Sequence, residues 1–372
     1  MRKGIQTAVP ALQLRLHLRL PYSLALLPML VALVLSACGP VRVERRSHFD
    51  DVARLLAGME VPQESPIRSL SEAETWKEHN RAMDGSFARF TESSTLPMRT
   101  WAAHEIPVTP SVVFYPFGGP DMAIPMALFP NATEYILFGM EPPGAAPDAS
   151  VLQPDLMPEA YAVIRSALSW YLTYTYFQTY QMDRWLRRAH LGGAGPVILV
   201  FLARSGARIT DMRPVEPMEG SGTHGMRIDF EYRGLRRTVT YFQIDASNEG
   251  LARKPGFLGY VRSRGPRVAF LKAAACLPHY EKFSVIRGFI ARESAMILTD
   301  DAGLPYADMV RERMSILHYG RYVDTMPLFR ACVQPDLVHA FKAGSRPLPF
   351  EVGYNASVMR GRSSLVLAKR IP

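Results

Sequence analysis

The sequence predicts an α+β protein with a mainly antiparallel sheet and packed helices, one of them long and rich in aromatic residues. Three observations predict it. The runs PVILVFLA, ARITDMRPV, MRIDFEYR and LRRTVTYFQI, between Pro196 and Ile244, are separated by glycine-containing turns, as in an antiparallel meander. Residues 158–188, PEAYAVIRSALSWYLTYTYFQTYQMDRWLRR, have helical length and few breakers. Helices and strands are interspersed along the chain, with SVVFYPF and TEYILFGM reading as buried strands upstream of the long helix.

Each element has a local reason. In MRIDFEY, Met226, Ile228, Phe230 and Tyr232 alternate with Arg227, Asp229 and Glu231, so one face is buried and the other wet. VRVERRSHFDDVARLL supports a short amphipathic element inside an otherwise charged tether, residues 38–63. Ser71 with Glu74 three residues on fits a capping box. Asp155 is placed to cap the long helix, whose aromatic residues read as core packing rather than a sugar-binding face. Helical patterns return at Val268–Leu277 and Lys282–Ile297, followed by the turn DDAGLPY. RMSILHYG, the helix-like DLVHAFK and the strand SSLVLA complete the chain. With no internal repeat or linker, residues 64–372 read as one large domain.

Composition narrows the function classes. The chain is 48% hydrophobic and 21% charged, an ordinary globular balance. Its net charge of +9 includes Arg2, Lys3, Arg15 and Arg19 near the N-terminus; without residues 1–37, 39 basic and 34 acidic residues remain, about +5. That is too mild to point to nucleic acid. Cys276 and Cys332 are the cysteines beyond Cys38. They are either a disulfide pair or buried free thiols, and no CxxC pair suggests redox or zinc chemistry.

The N-terminus carries the sharpest signal. The apolar core Leu24–Leu35 is twelve residues long, against the ~20 needed to span a bilayer. Basic residues precede it, no acidic residue occurs before Glu44, and Pro28 interrupts it. Leu35, Ser36, Ala37 and Cys38 then closely resemble the lipobox of bacterial lipoproteins. The resemblance implies that residues 1–37 are a signal peptide, that cleavage precedes Cys38, and that Cys38 is acylated and holds the chain to a membrane. Gly39, in place of the aspartate associated with inner-membrane retention, implies the outer membrane, with the folded domain facing the periplasm. YPFGGPD followed by LFPNATEYILFG, and DDAGLPY, are loosely similar to motifs of uncharacterised bacterial secreted proteins, a likeness that carries no activity.

Three groups are candidates for chemistry. Asp121 follows a buried strand and the turn FGGP, where it can hold an acid toward a ligand or, more simply, cap the next short helix. Asp300 and Asp301 can supply an acid and a base if burial separates their pKa values, although such residues are common in turns. His279 is the third acid/base candidate, with an ordinary structural role as the simpler reading. The spacing matches no dinucleotide fingerprint, P-loop, GxSxG elbow or HExxH motif, and neither metal nor cofactor is expected. The leading expectation is a noncatalytic lipid-anchored module that binds an envelope protein or glycan, or assists envelope assembly. The alternative is a periplasmic hydrolase of envelope glycans or peptides using Asp121, Asp300, Asp301 and His279.

Overall fold

The computed structural model describes residues 47–148, 150–217, 223–358 and 361–371. Residues 1–37, read above as a signal peptide, and Cys38 lie outside the described residues. Nine strands form one sheet: β1 (Val112–Tyr115), β2 (Glu134–Gly139), β3 (Arg208–Val215), β4 (Gly225–Tyr232), β5 (Leu235–Gln243), β6 (Arg267–Leu271), β7 (Met296–Thr299), β8 (Ser315–Gly320) and β9 (Ser364–Lys369). Their order is β3-β4-β5-β2-β1-β6-β7-β9-β8.

The α+β class stands, and within it the sheet is evenly mixed rather than mainly antiparallel. β3, β4 and β5 form the expected meander. From β5 the sheet continues in parallel through β2, β1, β6 and β7. β9 then lies antiparallel between β7 and β8. Parallel neighbours need long crossovers, which helices supply here.

In chain order the helices are α1 (His48–Leu56), α2 (Glu74–Phe90), α3 (Leu96–Glu105), α4 (Ala123–Leu128), α5 (Met157–Tyr174), α6 (Thr179–Arg188) and α7 (Gly195–Arg204), then α8 (Asn248–Ala252), α9 (Gly256–Ser263), α10 (Ser284–Glu293), α11 (Tyr306–Arg311) and α12 (Pro335–Ala343). Residues of α1 to α7 share one core with Val113, Tyr115, Leu137 and Phe270 of the sheet. Residues of α8 to α12 share another with Phe114, Phe138, Leu271 and Val366. The central strands are buried on both faces, which explains their unalternating apolar sequences.

Several local expectations change. PVILVFLA is the helix α7, not a strand; Pro196 sits in its first turn and every residue from Gly195 to Ala203 is buried. A short, uniformly apolar run has no period to distinguish helix from strand. The pattern at Val268–Leu277 begins instead as the buried strand β6. The long helix is two, α5 and α6, because Thr175 takes a left-handed conformation at the C-terminus of α5. Ser71 donates to the Arg68 carbonyl rather than capping α2. Val52, Leu55 and Leu56 of α1 enter the core, so this helix packs as part of the domain rather than as tether.

Candidate functional site

The five parallel strands bring their carboxyl ends to one edge of the sheet. Chain order runs from β1 outward through β2 to β5, then returns to the other side of β1 for β6 and β7. Connections leave in opposite directions at this switch point, which opens a crevice above the strand ends. A cavity of about 310 Å³ lies there. Gly118 and Gly119 follow β1, Glu141 follows β2, Asp245 follows β5, and Lys272 begins the loop after β6; all line it. Phe117, Phe138, Tyr176, Phe283 and Tyr354 give it aromatic walls.

A buried ion pair supports the cavity floor. Lys272 Nζ lies 3.0 Å from Asp121 Oδ2, with the two side chains 2% and 1% exposed. Asp121 also accepts from Tyr115 at 3.0 Å, from the hydroxyl of Tyr171, and from the Ile124 amide at 3.3 Å. Asp121 stands one residue before Met122, the N-cap of α4, and takes a first-turn amide of that helix while pairing with a lysine. Burial raises the Tyr115 and Tyr171 phenols well above their ordinary range, so both are neutral donors. Lys272 also donates to the carbonyl of Thr175, tying the break between α5 and α6 to the end of β6. Gly118 is required where it stands: a Cβ there would collide with the Tyr115 ring.

The loop after Lys272 is held in an uncommon shape. Ala273, Ala275 and Cys276 have φ of 51°, 51° and 55°, conformations that cost non-glycine residues about 1 kcal/mol or more each. The surroundings fix them. The Ala273 amide donates to Asp300 Oδ2 at 2.7 Å, its carbonyl accepts from Tyr354 at 2.7 Å, and the Cys276 amide donates to the Ala302 carbonyl at 3.0 Å.

None of the sequence-derived candidates, Asp121, Asp300, Asp301 and His279, lines the cavity. Asp300 is buried and spends its oxygens on the amides of Ala273 and Ala302. Asp301 is buried beside it and accepts from Asn355 at 3.2 Å and Ser364 at 3.3 Å. Burial raises Asp300 to about 6; burial and the neighbouring Asp300 charge raise Asp301 to about 7. His279 is held near 4 by burial and is neutral. Cys276 and Cys332 are buried free thiols that share a small cluster with Ala302, so the fold brings them together unbridged. Among the described residues no His, Cys, Asp or Glu group of three is placed to hold a metal ion.

Sequence reasoning missed Lys272 and Glu141. Lys272 is the second residue of LKAAACL, which reads as helix, and Glu141 lies in MEPPG with no motif around it. The available signal for both was position: each is a charged residue just past an apolar strand. Comparison with known protein families and with curated proteins found no match.

Proposed function

We propose that this protein is a lipid-anchored binding module of the bacterial envelope, attached through Cys38, whose periplasmic domain holds a small ligand in the switch-point cavity. The observation that carries this reading is the cavity itself: concave, aromatic-walled, and furnished with a few polar groups at the ends of parallel strands. Binding is favoured over hydrolysis because Asp121, Asp300 and Asp301 are occupied by a lysine, tyrosines, backbone amides and polar side chains. A general acid or base must reach its substrate.

Two measurements test the two halves of the reading. Ligand-observed NMR of the full chain in detergent with a library of small aromatic and polyol fragments should give hits that Leu277→Trp, on the cavity wall, removes. No hit, or hits indifferent to Leu277→Trp, would sink the cavity as the site. For the anchor, Cys38→Ser should abolish incorporation of labelled palmitate and release the protein from membranes; retained labelling and retention would exclude Cys38.

A further inference from the structure

We infer that the cavity takes a ligand with a vicinal diol beside a flat ring, the chemistry of an unphosphorylated ribonucleoside, and that Glu141 receives the diol. This rests on the cavity being the ligand site. Glu141 is 7% exposed and lines the cavity. Its side chain accepts one hydrogen bond, from Tyr241 to Oε2 at 3.1 Å. Among the described residues its Oε1 has no protein partner and no cation lies within ion-pairing distance. Oε1 is not sealed off by protein atoms, so it opens on the cavity, where a ligand's donors can meet it. Two adjacent hydroxyls supply paired O–H donors to a carboxylate's two oxygens.

The fold places this carboxylate deliberately. Glu141 stands two residues past β2 and 22 residues after Gly119. In doubly wound sheets with this order of parallel strands, an acidic residue about 20 residues past the glycine turn meets ribose hydroxyls. That correspondence is an analogy of position; the local geometry supports it independently. A Cβ at Gly139 would fall on Glu141 Oε2 and the Tyr241 hydroxyl, so only glycine lets the carboxylate fold back over the strand end.

The remaining contacts define the rest of the ligand. Phe117 and Phe138 pack with ring centroids 5.2 Å apart, and Tyr176 and Tyr354 with centroids 4.8 Å apart. These two aromatic pairs wall the cavity with surfaces suited to a planar base. Among the described residues a phosphate has no comparable seat. The turn after β1 is FGGPD, the following helix has six residues, and its Ile124 amide already donates to Asp121. Lys272 is likewise neutralised by Asp121. The volume of about 310 Å³ suits one nucleoside rather than a dinucleotide.

The test is equilibrium dialysis of the full chain in detergent against adenosine, guanosine, cytidine and uridine, with the 2′,3′-dideoxy form of any that binds. At least one ribonucleoside should bind, and its dideoxy form about tenfold or more weaker. Glu141→Gln should lower ribonucleoside affinity to the dideoxy level while leaving dideoxy affinity unchanged, which also reports that the variant is folded. Equal affinity for the two forms overturns the role of the diol. If the fragment library gives hits sensitive to Leu277→Trp but no ribonucleoside binds, the ligand class is wrong and the cavity stands. If neither binds, the cavity reading fails first. Preferential binding of cationic aromatic fragments, lost in Glu141→Gln, would reassign Glu141 as a partner for positive charge.

Discussion

Asp121 and Asp301 are both buried carboxylates just beyond the carboxyl ends of parallel strands, β1 and β7, yet their electrostatic circumstances are opposite. Asp121 has Lys272 at 3.0 Å and two tyrosine donors. Asp301 has the like charge of Asp300 beside it and neutral donors from Asn355 and Ser364. The first is a compensated pair that fixes geometry; the second is a group for which ionisation itself is costly. Burial alone does not determine what an acidic residue does to a fold. The nearest charge decides it.

The sharpest way to break the contrast is to give Asp121 the uncompensated state. Lys272→Met should destabilise the protein by about 3–5 kcal/mol, the usual cost of leaving one member of a buried ion pair alone. It also removes the tie to the Thr175 carbonyl. Lys272→Met combined with Asp121→Asn should recover a large part of that loss, because the stranded charge is gone. Urea unfolding of the single and double variants measures the coupling. A loss below about 1 kcal/mol in Lys272→Met would mean that the pair does not compensate Asp121.

The two clusters also differ in how far the sequence revealed them. The turn that carries Asp121 was visible because turn chemistry is local: glycines, a proline and an acid before a short helix. The β3–β5 meander was visible because Met226 to Tyr232 alternate between buried and wetter positions. Direction within the parallel centre was not. Val112–Tyr115 and Arg267–Leu271 are buried throughout, so neither carries a periodic signal for its partner or its sense. Lys272 was hidden for the same reason: its importance depends on β6 lying beside β1, a contact between residues more than 150 positions apart. The proximity of Cys276 and Cys332 is likewise a product of long-range packing.

A smaller effect, and the one that isolates the second cluster, is in pH dependence. Burial, with Asp300 as neighbour, raises Asp301 to about 7, whereas an unfolded aspartate titrates near ~4. Between those values the native state holds a proton that the unfolded chain releases, so stability falls as pH rises through this window. The contribution is fully present below pH ~4 and lost as pH passes through the folded-state value. Asp301→Asn preserves an acceptor for Asn355 and Ser364 but cannot ionise. It should match the native protein near pH 4.5 and exceed it by on the order of 1–3 kcal/mol at pH 8. Comparing the two proteins at each pH cancels every other titrating group that the substitution leaves unchanged, including the carboxylates whose own pairing favours higher pH. Unfolding free energies that run parallel from pH 4.5 to 8 would mean that Asp301 ionises in the folded state as easily as in water, and that Asp300 does not repel it.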